Sequence, residues 1–134
     1  MTSCNLRAVR ALIESGWHAG STARNSDGVD VFPNSPAAVS WCLLGAIGRV
    51  RGIDCEPRYD GYISSPEHAA LARALTRVEP SQNYWSPMTY NDRQFSSAPV
   101  LALIDMAIAD AEAVEQEFNV EVEVAQAQPD YCNH

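Results

Sequence analysis

Apolar positions in this chain fall into stripes with a period near 3.6, separated by polar stretches that have none. Leu6, Val9, Leu12 and Ile13 form the first stripe, with Ser3 placed to cap its start and Gly16 where a left-handed residue ends a helix. The spacing predicts a helix over residues 4–15. Residues 16–34 then read as loop, with turn chemistry at Asn25-Ser26-Asp27-Gly28 and one short strand at Val29-Asp30-Val31-Phe32.

Ser35-Pro36 is a start signal, because a serine oxygen accepts an orphan N–H and proline at the first helical position has none to lose. It predicts a second helix over 36–50 with Val39, Cys42, Leu43, Ala46, Ile47 and Val50 on its core face. Trp41, Gly45 and Gly48 lie on a neighbouring stripe. Interior glycine costs roughly 1 kcal/mol relative to alanine, so the pair implies close approach of another backbone.

After a loop over 52–64, Ser65-Pro66 repeats the signal and Leu71, Ala72, Leu75 and Val78 mark a third helix over 66–78, ended by Pro80. Residues 81–97 are aperiodic and carry Tyr84, Trp85, Tyr90 and Phe95, which makes them the leading site region. A fourth helix opens at Ser97 and keeps one apolar face from Val100 to Phe118, about 30 Å long. Its Ala107 and Ala111 offer a seat for the glycine stripe. Val120-Glu121-Val122-Glu123-Val124 alternates with period two, as a strand able to pair with Val29–Phe32 would. The fold class predicted is mainly α: one compact bundle of about four helices with long loops and a minor two-stranded β element. The domain spans 1–118, followed by an acidic strand-like segment and tail over 119–134.

Composition adds less. At 134 residues the chain suits a single core. It has no apolar run long enough for a membrane span and no signal-peptide pattern at its start, so a soluble, cytoplasmic protein without membrane association is expected. The cysteines at 4, 42, 55 and 132 have no paired short spacing and read as free thiols. Every cationic side chain is arginine. Residues 1–93 balance these arginines with acids, so the whole net charge of −8 falls in 94–134. That asymmetry suits either a solvated helix face or an acidic surface for a protein partner with a basic patch, and it disfavours direct nucleic-acid binding.

Ala23-Arg24-Asn25 with Gly28, then Trp41-Cys42 with Gly45-Ala46, then Tyr90-Asn91-Asp92, then Val100 to Ile108, together resemble an uncharacterised family of small bacterial and phage proteins. The similarity covers roughly residues 5–110. It differs in carrying Tyr90 where the family pattern has tryptophan, and in extending past the closing helix. The resemblance implies a small helical fold, a bacterial or phage origin and no assigned reaction, so it transfers no catalytic residue.

Two roles compete for Tyr90-Asn91-Asp92. Short polar side chains bond nearby backbone in turns and caps. Alternatively, Asp92 pairs with Arg24 or Arg93 beneath Trp85 and Tyr90, giving a binding set of Trp17, Arg24, Trp85, Tyr90, Asn91, Asp92 and Arg93 that recognises a protein partner. Cys42, His68 and Asn91 follow the order of a thiol protease, but a cysteine two turns inside a helix on its apolar face is poorly placed for catalysis. Cys132-Asn133-His134 is too small a set for zinc, and no metal or cofactor is expected. The function expected is a small acidic, non-catalytic interaction or regulatory module, phage-derived, binding a host factor or defence system. The alternatives are a cysteine enzyme using Cys42 or a phage structural component.

Overall fold

The computed structural model describes residues 1–52, 65–80 and 86–122, with 118–122 described by backbone alone. Among these residues are five helices and a two-stranded antiparallel sheet, in the order α1 (Thr2–Ser15), β1 (Ala23–Arg24), β2 (Ser40–Trp41), α2 (Leu43–Arg51), α3 (Pro66–Val78), α4 (Pro87–Asp92) and α5 (Ala98–Val122). The mainly α architecture with a minor β element is therefore the one the hydrophobic pattern predicts.

The core lies where α1 packs on α2, α3 and α5, with α3 also packed on α5. Leu6, Val9 and Ile13 of α1 pack with Ala46 and Ile47 of α2, Leu71 and Leu75 of α3, and Val100, Leu103, Ile104 and Ala107 of α5. Burying each large aliphatic side chain contributes about 1.5–3 kcal/mol, so this joint dominates stability. α3 matches its predicted bounds because its signals are local. Ser65 Oγ accepts the His68 N–H, Pro66 opens the helix, and Pro80 follows its end.

Other boundaries move, each for a physical reason. Ser3 is not the cap of α1. It is buried inside the first turn, where its N–H and hydroxyl both donate to the Glu115 carboxylate of α5, at 3.0 and 2.5 Å. A carboxylate at a helix N-terminus complements the dipole, so α5 caps α1 from across the core. Gly16 is extended (φ −174°) rather than left-handed; a β-carbon there would overlap the Val39 carbonyl oxygen.

Ser35-Pro36 opens a turn, not a helix: Ser35 Oγ accepts the Ala37 N–H and Ser35 O accepts the Ala38 N–H. The chain then extends through β2, where Ala23 pairs with Trp41 and Arg24 with Ser40. Trp41 fixes this path, donating its indole N–H to Pro33 O while the Arg49 guanidinium lies 5.6 Å from its ring centre and donates to Pro33 O and Ser35 O. α2 consequently starts at Leu43, and Cys42 is its N-cap, its Sγ accepting the Gly45 N–H. Gly45 does not seat on Ala107 and Ala111; a β-carbon there would overlap the Thr22 carbonyl oxygen.

The stretch over 81–97 is shortened by α4, with Ser86 capping Thr89 N–H. α5 runs through position 119, where a break was predicted, so residues 120–122 are helical rather than strand. Extending an existing helix adds one hydrogen bond per residue fixed, whereas a strand needs an edge to pair with. Val29–Phe32 pairs instead with β1, through an antiparallel bridge between Asp30 and Arg24.

The charge asymmetry also has a structural outlet. Arg7 and Arg10 of α1 pair with Glu112 and Asp105 of α5, and Arg77 of α3 pairs with Asp110. Three arginines of the first two-thirds thus meet acids of the last third. Cys4 is disulfide-bonded, which corrects its reading as a free thiol. Among the described residues no helix is long and apolar enough to cross a membrane.

Candidate functional site

The loop between α1 and β1, the loop between β1 and β2, and α4 converge near the start of α2. Asn91 is at the centre and fully buried. Its Oδ1 accepts the Trp17 indole N–H at 2.8 Å and the Leu43 backbone N–H at 3.1 Å, and its Nδ2 donates to Asp92 Oδ1 at 3.0 Å. Asp92 Oδ1 also accepts the Gly20 N–H at 3.0 Å. One side chain of α4 thus caps α2 and holds the α1–β1 loop through both Trp17 and Asp92.

His18 ties the same loop to β2. Its Nε2 lies 2.6 Å from Ser21 O, which only accepts, so Nε2 carries the proton and Nδ1 accepts from the Ser40 hydroxyl at 2.7 Å. Burial lowers the His18 pKa below its usual 6.5, against the Ser21 carbonyl and the carboxylates of Asp30 and Asp92, which raise it; nearby Arg24 adds to the lowering. The imidazole is held neutral.

Of the predicted binding residues, the structure brings together Trp17, Asn91 and Asp92. Tyr90 and Asn91 are buried and Trp17 is half-buried, so their side chains face the interior joint rather than an open surface. Arg24 stands apart, its Nε 3.5 Å from Asp30 Oδ1 and its guanidinium donating to Ala19 O. Arg93 is exposed after α4. Trp85 lies outside the described residues, as do Cys55, Cys132 and His134.

Cys42 is placed differently from the sequence prediction, at the start of a helix where a dipole lowers a thiol's pKa. Burial overrides it. The thiol is 2% exposed, and desolvation raises its pKa to about 11, with Asp92 adding to the rise. His68 is half-buried on α3, its pKa also lowered by burial.

No buried side-chain nitrogen or oxygen among the described residues lacks a hydrogen-bond partner. The interior joint therefore has no polar group left over for a ligand. Nor do three or more His, Cys, Asp or Glu residues converge as a metal site among the described residues.

An open depression lies beside the β1–β2 loop, a region the aromatic signal did not single out. Ser21, Thr22, Asp30, Val31, Phe32 and Ser35 line this depression of about 520 Å³. Val29, Phe32 and Val39 are exposed at 57, 49 and 49%. The sequence signal was the apolar pair Val29 and Phe32 bracketed by turn residues at 25–28 and 33–36; which of the segment's side chains stay exposed, and that Val31 packs on the core, required the structure.

A family model described as a family of unknown function, DUF6197, matches residues 2–110. The chain belongs to this family. No curated protein and no solved structure matches it. The DUF6197 match takes in the Asn91 joint, the β1–β2 loop and the α1–α5 core up to the middle of α5.

Proposed function

We propose that this DUF6197 protein is a non-catalytic interaction module that binds a partner protein through the outer face of its β1–β2 loop. The observation that carries the reading is the joint exposure of Val29, Phe32 and Val39 on a loop whose base is rigidly fixed. Trp41 and Arg49 pin Pro33 and Ser35, and His18 fixes β2 beneath. Scattered exposed hydrophobics need no explanation, but Phe32 also borders the open depression, which gives a partner a place to seat against this pinned loop. The net charge of −8 favours a partner with a basic surface.

The α5 acids contribute less to this role than the charge asymmetry suggested, since Asp105, Asp110, Glu112 and Glu115 are engaged with α1 and α3. A thiol enzyme based on Cys42 is disfavoured by burial of its sulfur. A viral origin, with a host factor or defence component as partner, is compatible with this surface.

The test is affinity capture from lysate of the source organism with the native chain and a Val29→Ser/Phe32→Ser variant of unchanged circular dichroism. The native chain should retain a protein that the variant loses. Equal capture by both, or none by either, would sink the reading.

A further inference from the structure

Among the described residues, the β1–β2 loop has an unpaired strand edge as well as exposed apolar side chains. Val31 N–H donates to Ala23 O at 3.0 Å and Asn25 N–H to Val29 O at 2.9 Å, which makes Asp30 and Arg24 a non-hydrogen-bonded antiparallel pair. At such a position Asp30 directs its own N–H and C=O away from β1, and by alternation Phe32 directs its N–H the same way. No hydrogen bond within the described residues engages these three groups. Asp30 and Phe32 are both exposed. The edge is short, a single bridge at Asp30, and is bordered by the 520 Å³ depression that Asp30, Val31 and Phe32 help to line.

Resting on the interaction reading above, we propose that this edge captures an extended segment of a partner protein by strand addition, the segment carrying a Lys or Arg two residues from a large apolar side chain. Main-chain groups of the segment pair with Asp30 N–H and C=O and with Phe32 N–H. Side chains two apart share a face, so the cation meets Asp30 while the apolar residue meets Phe32. Asp30 is available for this role, because its carboxylate is 73% exposed and only 3.5 Å contact with Arg24 Nε holds it. Charge complementarity also separates the occupants. A second copy pairing about a twofold axis would set the Asp27 and Asp30 carboxylates of two chains against each other, and this chain's own acidic C-terminal segment would do the same. A cationic segment from another protein neutralises them.

The experiment selects binders to the native protein from a displayed library of random ten-residue peptides. Selected peptides are then synthesised with and without N-methylation at alternate residues. The expected result is enrichment of a cation two positions from an apolar residue, with binding weakened about tenfold or more by Asp30→Arg and by N-methylation in one of the two alternate sets. N-methylation needs no change in the protein, so it reads strand addition even if Asp30→Arg perturbs the loop. Absence of binders, enrichment of acidic peptides, or binders indifferent to both changes would overturn the proposal. If strand addition fails while capture still depends on Val29 and Phe32, the interaction reading survives; if both are lost, neither does.

Discussion

Asn91 Oδ1 accepts the backbone N–H of Leu43 at 3.1 Å, so the second helix is capped by a residue that follows it by almost fifty positions. The Leu43 N–H at the helix start is therefore satisfied by α4 rather than by its own helix. Cys42 satisfies Gly45 N–H locally, and Asn91 supplies the second acceptor from outside.

Replacing Asn91 with alanine removes the acceptor for two donors, Trp17 Nε1 and Leu43 N, in a site closed to water. Leaving buried donors unpaired costs about 1–3 kcal/mol each, and Trp17 is half-buried, so a loss of about 2–4 kcal/mol is expected. Guanidinium unfolding monitored by circular dichroism measures it. Asn91→Asp should also destabilise, because it sets a second carboxylate against Asp92 and removes the amide donor. A change below about 0.5 kcal/mol for Asn91→Ala would show that the cap is energetically idle.

The Arg51–Glu67 pair should respond asymmetrically. Glu67 Oε1 accepts from Arg51 at 2.9 Å and Oε2 from Asn5 at 3.3 Å, yet the Glu67 side chain is 1% exposed and that of Arg51 36%. Removing Arg51 strands a buried carboxylate, whereas removing the charge on Glu67 leaves an arginine that can turn to water. Arg51→Ala should therefore cost about 3 kcal/mol and Glu67→Gln about 1 kcal/mol. Equal costs in denaturant unfolding would mean that the two groups share one environment.

What the sequence revealed, and what it hid, follows from the range of the interactions involved. α3 was legible to the residue because its cap, its proline and its terminator are all local. The apolar faces of α1 and α5 were legible because burial is periodic. The start of α2 was not, since a local Ser-Pro signal competed with Trp41, whose pairing with Ala23 and bond to Pro33 depend on chain folded elsewhere. Cys42 caps α2 locally, but the acceptors for Ser3 N–H of α1 and Leu43 N–H of α2 come from Glu115 and Asn91, which no window of adjacent residues contains. Gly45 was recognised as a close-approach position, but its neighbour is the Thr22 carbonyl rather than the small residues of α5. For the candidate site, Trp17, Asn91 and Asp92 were legible as a group, while their inward direction and the open edge at Asp30 required the backbone.

The cysteines should separate by chemistry. With its pKa near 11, Cys42 holds only about one thiolate per thousand molecules at pH 8 and is also shielded from reagent. Iodoacetamide should leave it unmodified in the native protein and modify it after unfolding. Cys4 should resist alkylation until a disulfide reductant is added. Peptide mass spectrometry reads both outcomes; native labelling of Cys42 would reopen thiol chemistry, and labelling of Cys4 without reductant would contradict its disulfide.

His18 should make the protein less stable on mild acidification. Burial lowers its folded-state pKa below 6.5, so the unfolded chain binds a proton more readily than the folded one. Stability is then full above pH 6.5 and falls as pH drops through that value toward the folded pKa. Protonation would also place a donor on Nδ1, facing the Ser40 hydroxyl, and Ser40 would have to rotate to accept from it. His68, with its pKa lowered by burial as well, contributes with the same sign, so the two must be compared. Unfolding midpoints between pH 5 and 7.5 should decline toward acid in the native chain and flatten in part in His18→Gln and in His68→Gln. Nitrogen-15 shifts at neutral pH should report the Nε2–H tautomer for His18. A pH-independent midpoint, or an Nδ1–H tautomer, would contradict the neutral, Ser21-anchored imidazole that joins the α1–β1 loop to β2.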